Sequence, residues 1–238
     1  MEEWMQRTSL LLGSNAIAQL RNSRILVVGV GGVGAYAAEM LVRAGVGRMT
    51  IIDSDEVAPT NINRQLIATH STVGVAKVEV LSQRLLDINP ALQLTARQEY
   101  VTVESAPLLV SEGYDYVVDA IDTVAPKVTL LAACLQGGIA VISSMGAGAR
   151  MDPSQIQYAL LSETCHCGLA RAVRTRLRKM GIKQKLPVVF STEVPCSEAV
   201  EEVEGERNKR TTVGTVSYMP AIFGCYLAAY VIRKLTQR

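Results

Sequence analysis

An α/β fold with a mainly parallel, doubly wound sheet is predicted by three features of the 238-residue sequence. Short apolar runs alternate with stretches of helical periodicity between residues 25 and 143. The first run, Ile25–Val28, lacks polar alternation, as befits a strand covered on both faces. It leads directly into Gly29-Val-Gly31-Gly32-Val-Gly34, and from there into small and apolar residues over Val33–Ala44 that suit a helix packed on a sheet.

Gly45 and Gly47 end that helix, and Met49–Ile52 forms a second strand closed by Asp53. Over Lys77–Ile88 the apolar Val78, Leu81, Leu85 and Ile88 recur at helical spacing, and Asn89-Pro90 stops the helix. Strands follow at Gln93–Thr95, Tyr116–Ala120 and Ala140–Ser143, with a helix at Val124–Gln136. Beyond Arg150, Gln155–Leu160 and Val188–Ser191 read as strands around a helix at Leu169–Met180. The charged stretch Ser197–Arg210 reads as an exposed loop or hairpin tip, and Met219–Leu235 as the last helix. No repeat or linker divides the chain, so a single domain over residues 1–238 is expected, its later part continuing the sheet.

Composition excludes several classes. Apolar residues at 49% and charged residues at 19% rule out wholesale disorder, and a net charge of +2 names no partner. Five cysteines and an N-terminus, MEEWMQRTSL, without a basic-then-apolar pattern fit a reducing cytoplasm. The 22 residues Thr211–Ile232 carry no charge and are long enough to span a bilayer. Gly214, Ser217, Pro220 and Gly224 interrupt them, and Tyr218, Tyr226 and Tyr230 are dispersed through the segment instead of flanking it. A buried strand-turn-helix is expected there, and no membrane partner.

The glycine cluster is G-x-G-x-x-G between a strand and a helix, with Asp53 19 residues after Gly34. Absent side chains let backbone approach phosphate oxygens, the helix N-terminus offers unpaired N–H groups, and Asp53 is placed to accept from ribose hydroxyls. A Rossmann-like nucleotide site follows, for which NAD and ATP both qualify. The residues after Asp53 decide between them: Asp55, Thr60, Asn61, Asn63, Arg64 and Gln65, then Lys77 at the start of a helix. Hydride transfer gains nothing from Arg64 and Lys77 near phosphates, whereas attack on an α-phosphorus is stabilised chiefly by positioned cations and Mg²⁺. Asp119 and Asp122, at the end of a strand, offer the carboxylate that magnesium requires. The competing roles are surface salt bridges for Arg64 and Lys77 and a helix cap for Asp119.

Gly29–Gly34, Asp53, T-N-I-N-R-Q at Thr60–Gln65, V-G-V-A-K at Val73–Lys77, I-N-P at Ile88–Pro90 and D-A-I-D at Asp119–Asp122 together resemble the ubiquitin-activating-enzyme-like adenylyltransferases, the ThiF-type enzymes. The likeness runs unbroken over about residues 5–150. It implies an enzyme that activates a carboxylate with ATP and Mg²⁺, and a division into a nucleotide-binding half at 21–150 and a substrate and dimer half at 151–238. It also implies that Gly29, Gly31, Gly32 and Gly34 approach the phosphates and Asp53 the ribose. Asn61, Arg64 and Lys77 would grip the triphosphate, with Asp55 and Gln65 completing the set, and Asp122 would hold Mg²⁺. Arg7, in R-T-S-L-L-L-G, matches the arginine that members insert into the partner subunit's site, which implies a homodimer.

Sulfur-carrier activators of this family hold zinc with two C-x-x-C pairs, absent here; Cys165-His166-Cys167 is C-H-C, and Cys134, Cys196 and Cys225 are scattered. The acidic Glu193 and Glu198 near Cys196 do not favour a reactive thiolate. Between Thr164 and Thr192, 29 residues without an acid carry Arg171, Arg174 and Arg178 on one helix face, with Leu169, Val173, Leu177 and Met180 on another. Such a face is either an RNA-backbone contact or a solvated surface balancing the six glutamates of Glu193–Glu206. The stretch S-S-M-G-A-G-A-R-M-D-P-S-Q-I at Ser143–Ile156 resembles one branch of the family. That branch adenylates the carboxylate of a threonylcarbamoyl group on the tRNA adenosine next to the anticodon, then closes a ring with loss of water. The resemblance implies tRNA as substrate, and members can also bind K⁺ or Na⁺ and work with a sulfur-relay protein pair. C-H-C-G at Cys165–Gly168 departs from that branch's pattern. The alternatives are activation of a ubiquitin-like sulfur carrier ending in Gly-Gly, and a non-catalytic nucleotide-binding adaptor.

Overall fold

The computed structural model describes residues 2–202 and 211–237. Seven strands form the main sheet: β1 (Arg24–Val28), β2 (Arg48–Ile52), β3 (Gln93–Arg97), β4 (Tyr116–Asp119), β5 (Val141–Ser144), β6 (Ile156–Leu160) and β7 (Pro187–Ser191). Their order is β3-β2-β1-β4-β5-β7-β6, parallel throughout except for the antiparallel pair β6 and β7. The later part of the chain thus continues the sheet of the first, as expected. Eight α-helices accompany it among the described residues: α1 (Gln6–Leu12), α2 (Ser14–Asn22), α3 (Gly34–Arg43), α4 (Lys77–Ile88), α5 (Ser105–Ser111), α6 (Val124–Gln136), α7 (Gly168–Lys179) and α8 (Tyr218–Leu235).

Side chains of β1 alternate between two cores, which is why the strand reads as uniformly apolar. Ile25 and Val27 join Leu41 of α3, Leu81 of α4 and Phe223 of α8 on one face. Leu26 and Val28 join Leu109 of α5, Leu131 of α6 and Val173 of α7 on the other. Doubly wound packing of this kind leaves the loops at the carboxyl ends of the strands as the place for ligands.

The uncharged segment that resembles a membrane span is a short strand, β9 (Thr211–Val213), followed by α8. Two of its tyrosines, Tyr226 and Tyr230, pack against β6, whereas Tyr218 is exposed. Tyr158 of β6 donates its hydroxyl to Tyr226 O at 2.8 Å, and its ring lies 5.2 Å from Tyr226 and 5.3 Å from Tyr230. No helix among the described residues is long and apolar enough to cross a membrane. β9 pairs antiparallel with β8 (Val200–Glu202), so the ends of the predicted hairpin meet; its remainder, 203–210, lies outside the described residues.

Three helices carry no predicted counterpart. α1 buries none of its residues, and α5 is a single short apolar stretch, so neither repeats a periodicity long enough to read. α2 buries only Ala16, Ile17 and Leu20. In α7 the apolar face is Ala170, Val173 and Leu177; Met180, expected to share it, lies past the helix end and is half exposed.

Gly224 explains how α8 seats against α3. A Cβ there would overlap Val33 O and stand 2.8 Å from Tyr36 Cβ. Gly224→Ala should push the two helices apart and lower stability by about 1–3 kcal/mol, the usual cost of overpacking. Chemical denaturation measures it, and an unchanged midpoint would contradict the assigned contact.

Candidate functional site

The strand order reverses between β1 and β4, which opens a crevice at their carboxyl ends. Gly29 caps β1 with φ of +85°, and its N–H donates to Ile52 O at 2.8 Å. A Cβ on Gly29 would lie 2.8 Å from Ala120 O, and one on Gly34 would overlap Gly29 O. Gly29 and Gly34 therefore serve the turn itself. Gly31 and Gly32 face neighbouring side chains instead, where added Cβ atoms would stand 3.5 Å from Gln65 Nε2 and 3.1 Å from Pro220 Cβ. Those two leave the loop surface low enough for a phosphate to approach.

Asp53 follows β2 and reaches back across this turn. Its Oδ2 accepts from Val30 N–H at 2.7 Å and its Oδ1 from Asp55 N–H at 2.9 Å. Burial pushes the Asp53 carboxyl up from its usual range, opposed by the Lys77 ammonium and by the two donated N–H groups. Lys77 is buried at the first residue of α4, with Nζ 2.8 Å from Asp55 Oδ2 while the Asp55 side chain stays exposed. Lys77 thus makes the salt bridge weighed as its competing role, but from a buried position instead of the surface.

Arg64 Nη1 donates to Thr60 O and to Asn63 Oδ1, each at 2.9 Å, and Asn61 Oδ1 accepts from Ala58 N–H at 3.1 Å. Asn63 Nδ2 donates to Thr215 O at 3.0 Å, which ties this loop to the segment before α8. Gln65 is nine-tenths buried, and its Oε1 finds no partner among the described residues. The loops after β1 and β2 and the start of α8 thus converge on one rim. Beside Asp53, a cavity of about 190 Å³ lies between β2, β3 and α5, walled by Ile52, Tyr100, Val101 and Leu109. Arg97 and Glu112 close its floor in a two-pronged ion pair at 2.7 and 2.8 Å. None of these residues forms a motif by which a sequence reading could find them.

Asp119 is not a metal carboxylate, contrary to the expectation that it joins Asp122 in that role. It is wholly buried and paired with the equally buried Lys127, Nζ to Oδ2 2.7 Å. Ser143 Oγ donates to the same oxygen at 2.6 Å, and Oδ1 accepts from Ile121 N–H at 3.1 Å. Asp122, three residues further on in the loop that leaves β4, is exposed. Lys127 was missed because a lysine inside a helical pattern reads as a surface charge.

Arg7 lies exposed on α1, next to Leu10 and Leu11, which are 82% and 74% exposed. Arg171 and Arg178 are exposed on α7, whereas Arg174 is half-buried and turned inward, its Nη1 donating to Leu161 O and Thr164 Oγ1. Cys134 is buried and its thiol is pushed up to about 12 by that burial. Among the described residues, no group of three or more His, Cys, Asp or Glu is placed to hold a metal ion.

Residues 5–238 match the family model described as the ThiF family. The chain belongs to the ThiF family. Among its ThiF relatives, the tRNA threonylcarbamoyladenosine dehydratase of Bacillus subtilis (strain 168) is 39% identical over 236 residues, covering 96% of this chain and 93% of that one. The enzyme of the same name from Escherichia coli (strain K12) is 37% identical, covering 98% and 95%. The crystal structure of the E. coli dehydratase in complex with ATP has a TM-score of 0.90 and 36% identity, covering 100% of this chain and 96% of that chain. A ThiF-like adenylyltransferase and sulfurtransferase of Anopheles gambiae, MOCS3, is 40% identical over only 52% of this chain.

Removing one partner of the Lys127–Asp119 pair strands a buried charge. Lys127→Ala should lower unfolding free energy by about 3–5 kcal/mol in a urea titration. A loss below about 1 kcal/mol would mean that Asp119 needs no counter-charge.

Proposed function

We propose that this protein is an ATP-dependent dehydratase of threonylcarbamoyladenosine in tRNA, acting through adenylation of the modification's carboxylate. The observation that carries the reading is the extent of the likeness. The dehydratases match the chain through both halves, whereas the sulfurtransferase-linked adenylyltransferase matches about half of it. The crevice supports the same chemistry. Asp53, held by two N–H groups, keeps lone pairs for the ribose hydroxyls, and the cavity beside Val101 suits an adenine ring. The backbone of Gly31 and Gly32 and the N-terminus of α3 would meet the phosphates.

Arg64 and Lys77 are held on carbonyl and carboxylate oxygens that a triphosphate oxygen can replace, so both cations stand ready before ATP binds. Asn61 and Gln65 complete the triphosphate set, Gln65 bringing an amide with an unmet acceptor. The exposed Asp122 and its neighbouring crevice fit Mg²⁺, which would neutralise charge on the phosphates. A carboxylate oxygen of the threonylcarbamoyl group attacks the α-phosphorus and pyrophosphate leaves. Attack from within the same modification then closes the ring and expels AMP, with net loss of one water. Such an intramolecular step needs no enzyme thiolate. The unburied face of α1, with Arg7, Leu10 and Leu11, supports a homodimer in which Arg7 reaches the partner's crevice. Arg171 and Arg178, exposed on α7, would meet tRNA backbone, while Arg174 is turned inward to Leu161 O.

Mass spectrometry of nucleosides after incubating threonylcarbamoyl-bearing tRNA with the protein and Mg·ATP tests this reading. The cyclic, dehydrated nucleoside is expected. Unchanged tRNA together with adenylation of a Gly-Gly-terminated carrier would establish the other activity.

Lys77→Ala and Arg64→Ala should each slow pyrophosphate release by about 10²–10³-fold, matching about 2.7–4 kcal/mol of transition-state stabilisation. Near-normal release would make both residues structural. Arg7→Ala should be comparably inactive. Mixing it with Lys77→Ala should restore part of the activity, since mixed dimers contain one intact site; no recovery would argue against a shared site.

A further inference from the structure

Outside the nucleotide crevice, positive charge gathers at the start of α7 without an ion pair among the described residues. A cavity of about 290 Å³ opens there, lined by Thr164, Cys165, His166, Cys167, Arg171 and Arg174. The guanidinium groups are the only formal charges in its wall, and no described carboxylate lies within ion-pair distance of either. Arg174 is fixed at the wall by Nη1, which donates to Leu161 O at 3.0 Å and to Thr164 Oγ1 at 2.9 Å. Arg171, one turn nearer the helix start, is exposed.

A third guanidinium stands behind the wall. Arg150 is only 4% exposed, yet it makes no ion pair among the described residues. It donates instead to four carbonyl oxygens: Gly146 at 2.8 Å, Gly148 at 3.0 Å, Glu193 at 3.3 Å and His166 at 2.7 Å. The Glu193 carboxylate is turned away, accepting from Met151 N–H and Asp152 N–H at 3.0 and 2.9 Å. Carbonyl dipoles solvate a buried cation but do not cancel its charge, so its field reaches the cavity through the residue it holds. That residue, His166, sits at φ of +48°, a conformation stabilised by the Arg150 hydrogen bond. The N-terminal end of the 12-residue α7, capped by Cys167 Sγ, adds positive partial charge from the same side.

The cavity also has a place relative to the reaction. Cys167 Sγ approaches Gly146, just beyond the carboxyl end of β5, so the cavity opens on the same sheet edge as the glycine turn. At about 290 Å³ the cavity stands at the lower edge of the roughly 300–1,000 Å³ of sites for drug-sized molecules. A single small anionic group suits it.

We propose that this cavity is an anion subsite that seats one phosphate group, and that in the working enzyme the phosphate belongs to the RNA backbone. The source of the phosphate rests on the tRNA reading above; the subsite itself does not. The guanidinium groups of Arg171 and Arg174 suit phosphate oxygens, and Arg150 supplies charge that no described carboxylate answers by an ion pair.

Cys165, exposed in the wall, is a built-in reporter, and the exposed Cys196 serves as reference. The alkylation rate of each thiol by iodoacetamide is read by peptide mass mapping of the full-length protein. Transfer RNA should slow alkylation of Cys165 several-fold and leave Cys196 unaffected. Protection by millimolar inorganic phosphate but not by tRNA would uphold the anion subsite and assign it to free phosphate. Protection by neither overturns the proposal. Independently, Arg171→Gln should make the plot of log tRNA affinity against log salt shallower by about 0.7–0.9, one phosphate contact, with fluorescent-ATP binding unchanged. An unchanged slope would overturn the RNA assignment of the subsite. A variant that still dehydrates tRNA with that slope unchanged leaves the enzymatic reading intact while removing the subsite, so the two failures are distinct.

Discussion

The buried pair of Lys127 and Asp119 fixes the geometry on which the crevice depends. Asp119 ends β4 and accepts from Lys127 Nζ, Ser143 Oγ and Ile121 N–H, while Lys127 Nζ also holds Ile121 O at 2.8 Å. The chain leaving β4 is therefore gripped on both its N–H and its carbonyl side. Ala120, in the middle of that grip, is the surface on which Gly29 packs, and Gly29 O is in turn the surface on which Gly34 packs. The position of the glycine turn is thereby inherited from a charge pair one strand away. Asp122 is placed by the same grip. A buried pair of this kind adds little net stability, but breaking it is costly, so its value lies in admitting one arrangement only.

A second layer of electrostatics sits on that frame. Lys77 is buried, yet its ammonium meets the exposed Asp55 and lowers the cost of ionising Asp53. The three form a chain in which the outermost member is the one solvent can replace. An incoming polyanion meets cations already aimed, so little reorganisation remains for the moment of reaction. Farther from the crevice, Glu39 of α3 does comparable work for the scaffold, accepting from Arg43 at 2.8 Å and from Arg84 of α4 at 2.5 Å, which holds its carboxyl below the usual range despite burial.

Much of this was legible in the sequence, and the exceptions have physical reasons. The helices at 77–88 and 124–136 were readable because each has an apolar face several turns long and a clear stop signal. The nucleotide turn was readable because glycine, strand and carboxylate occur at spacings that only a strand-turn-helix satisfies. Asp119 misled because a carboxylate at a strand end offers the same letter whether it faces a ligand or a buried lysine. Lys127 was hidden by its own type, since sequence alone does not distinguish a lysine that points inward from one that points out. Arg174 illustrates the same limit on α7: the 3.6-residue period places it beside Arg171 and Arg178, but the turn at Leu161–Glu163 supplies carbonyls that draw it inward. Val101 and Tyr100, which wall the cavity beside Asp53, belong to a connection with no periodicity at all.

Helix α8 carries a consequence for the order in which the molecule can be made. Its Pro220 lies against Gly32, Thr215 O three residues ahead of the helix accepts from Asn63 Nδ2, and Gly224 lets it press on α3 directly behind the glycine turn. Phe223, Leu227 and Val231 fill the core beneath that same helix. The nucleotide loop is encoded within the first quarter of the chain but is buttressed by a segment that emerges nearly 200 residues later. During synthesis the loop therefore exists for most of its time without its support, its apolar underside open to solvent. The growing polypeptide gains a rigid phosphate cradle only when α8 docks, which couples competence for nucleotide to the emergence of that helix.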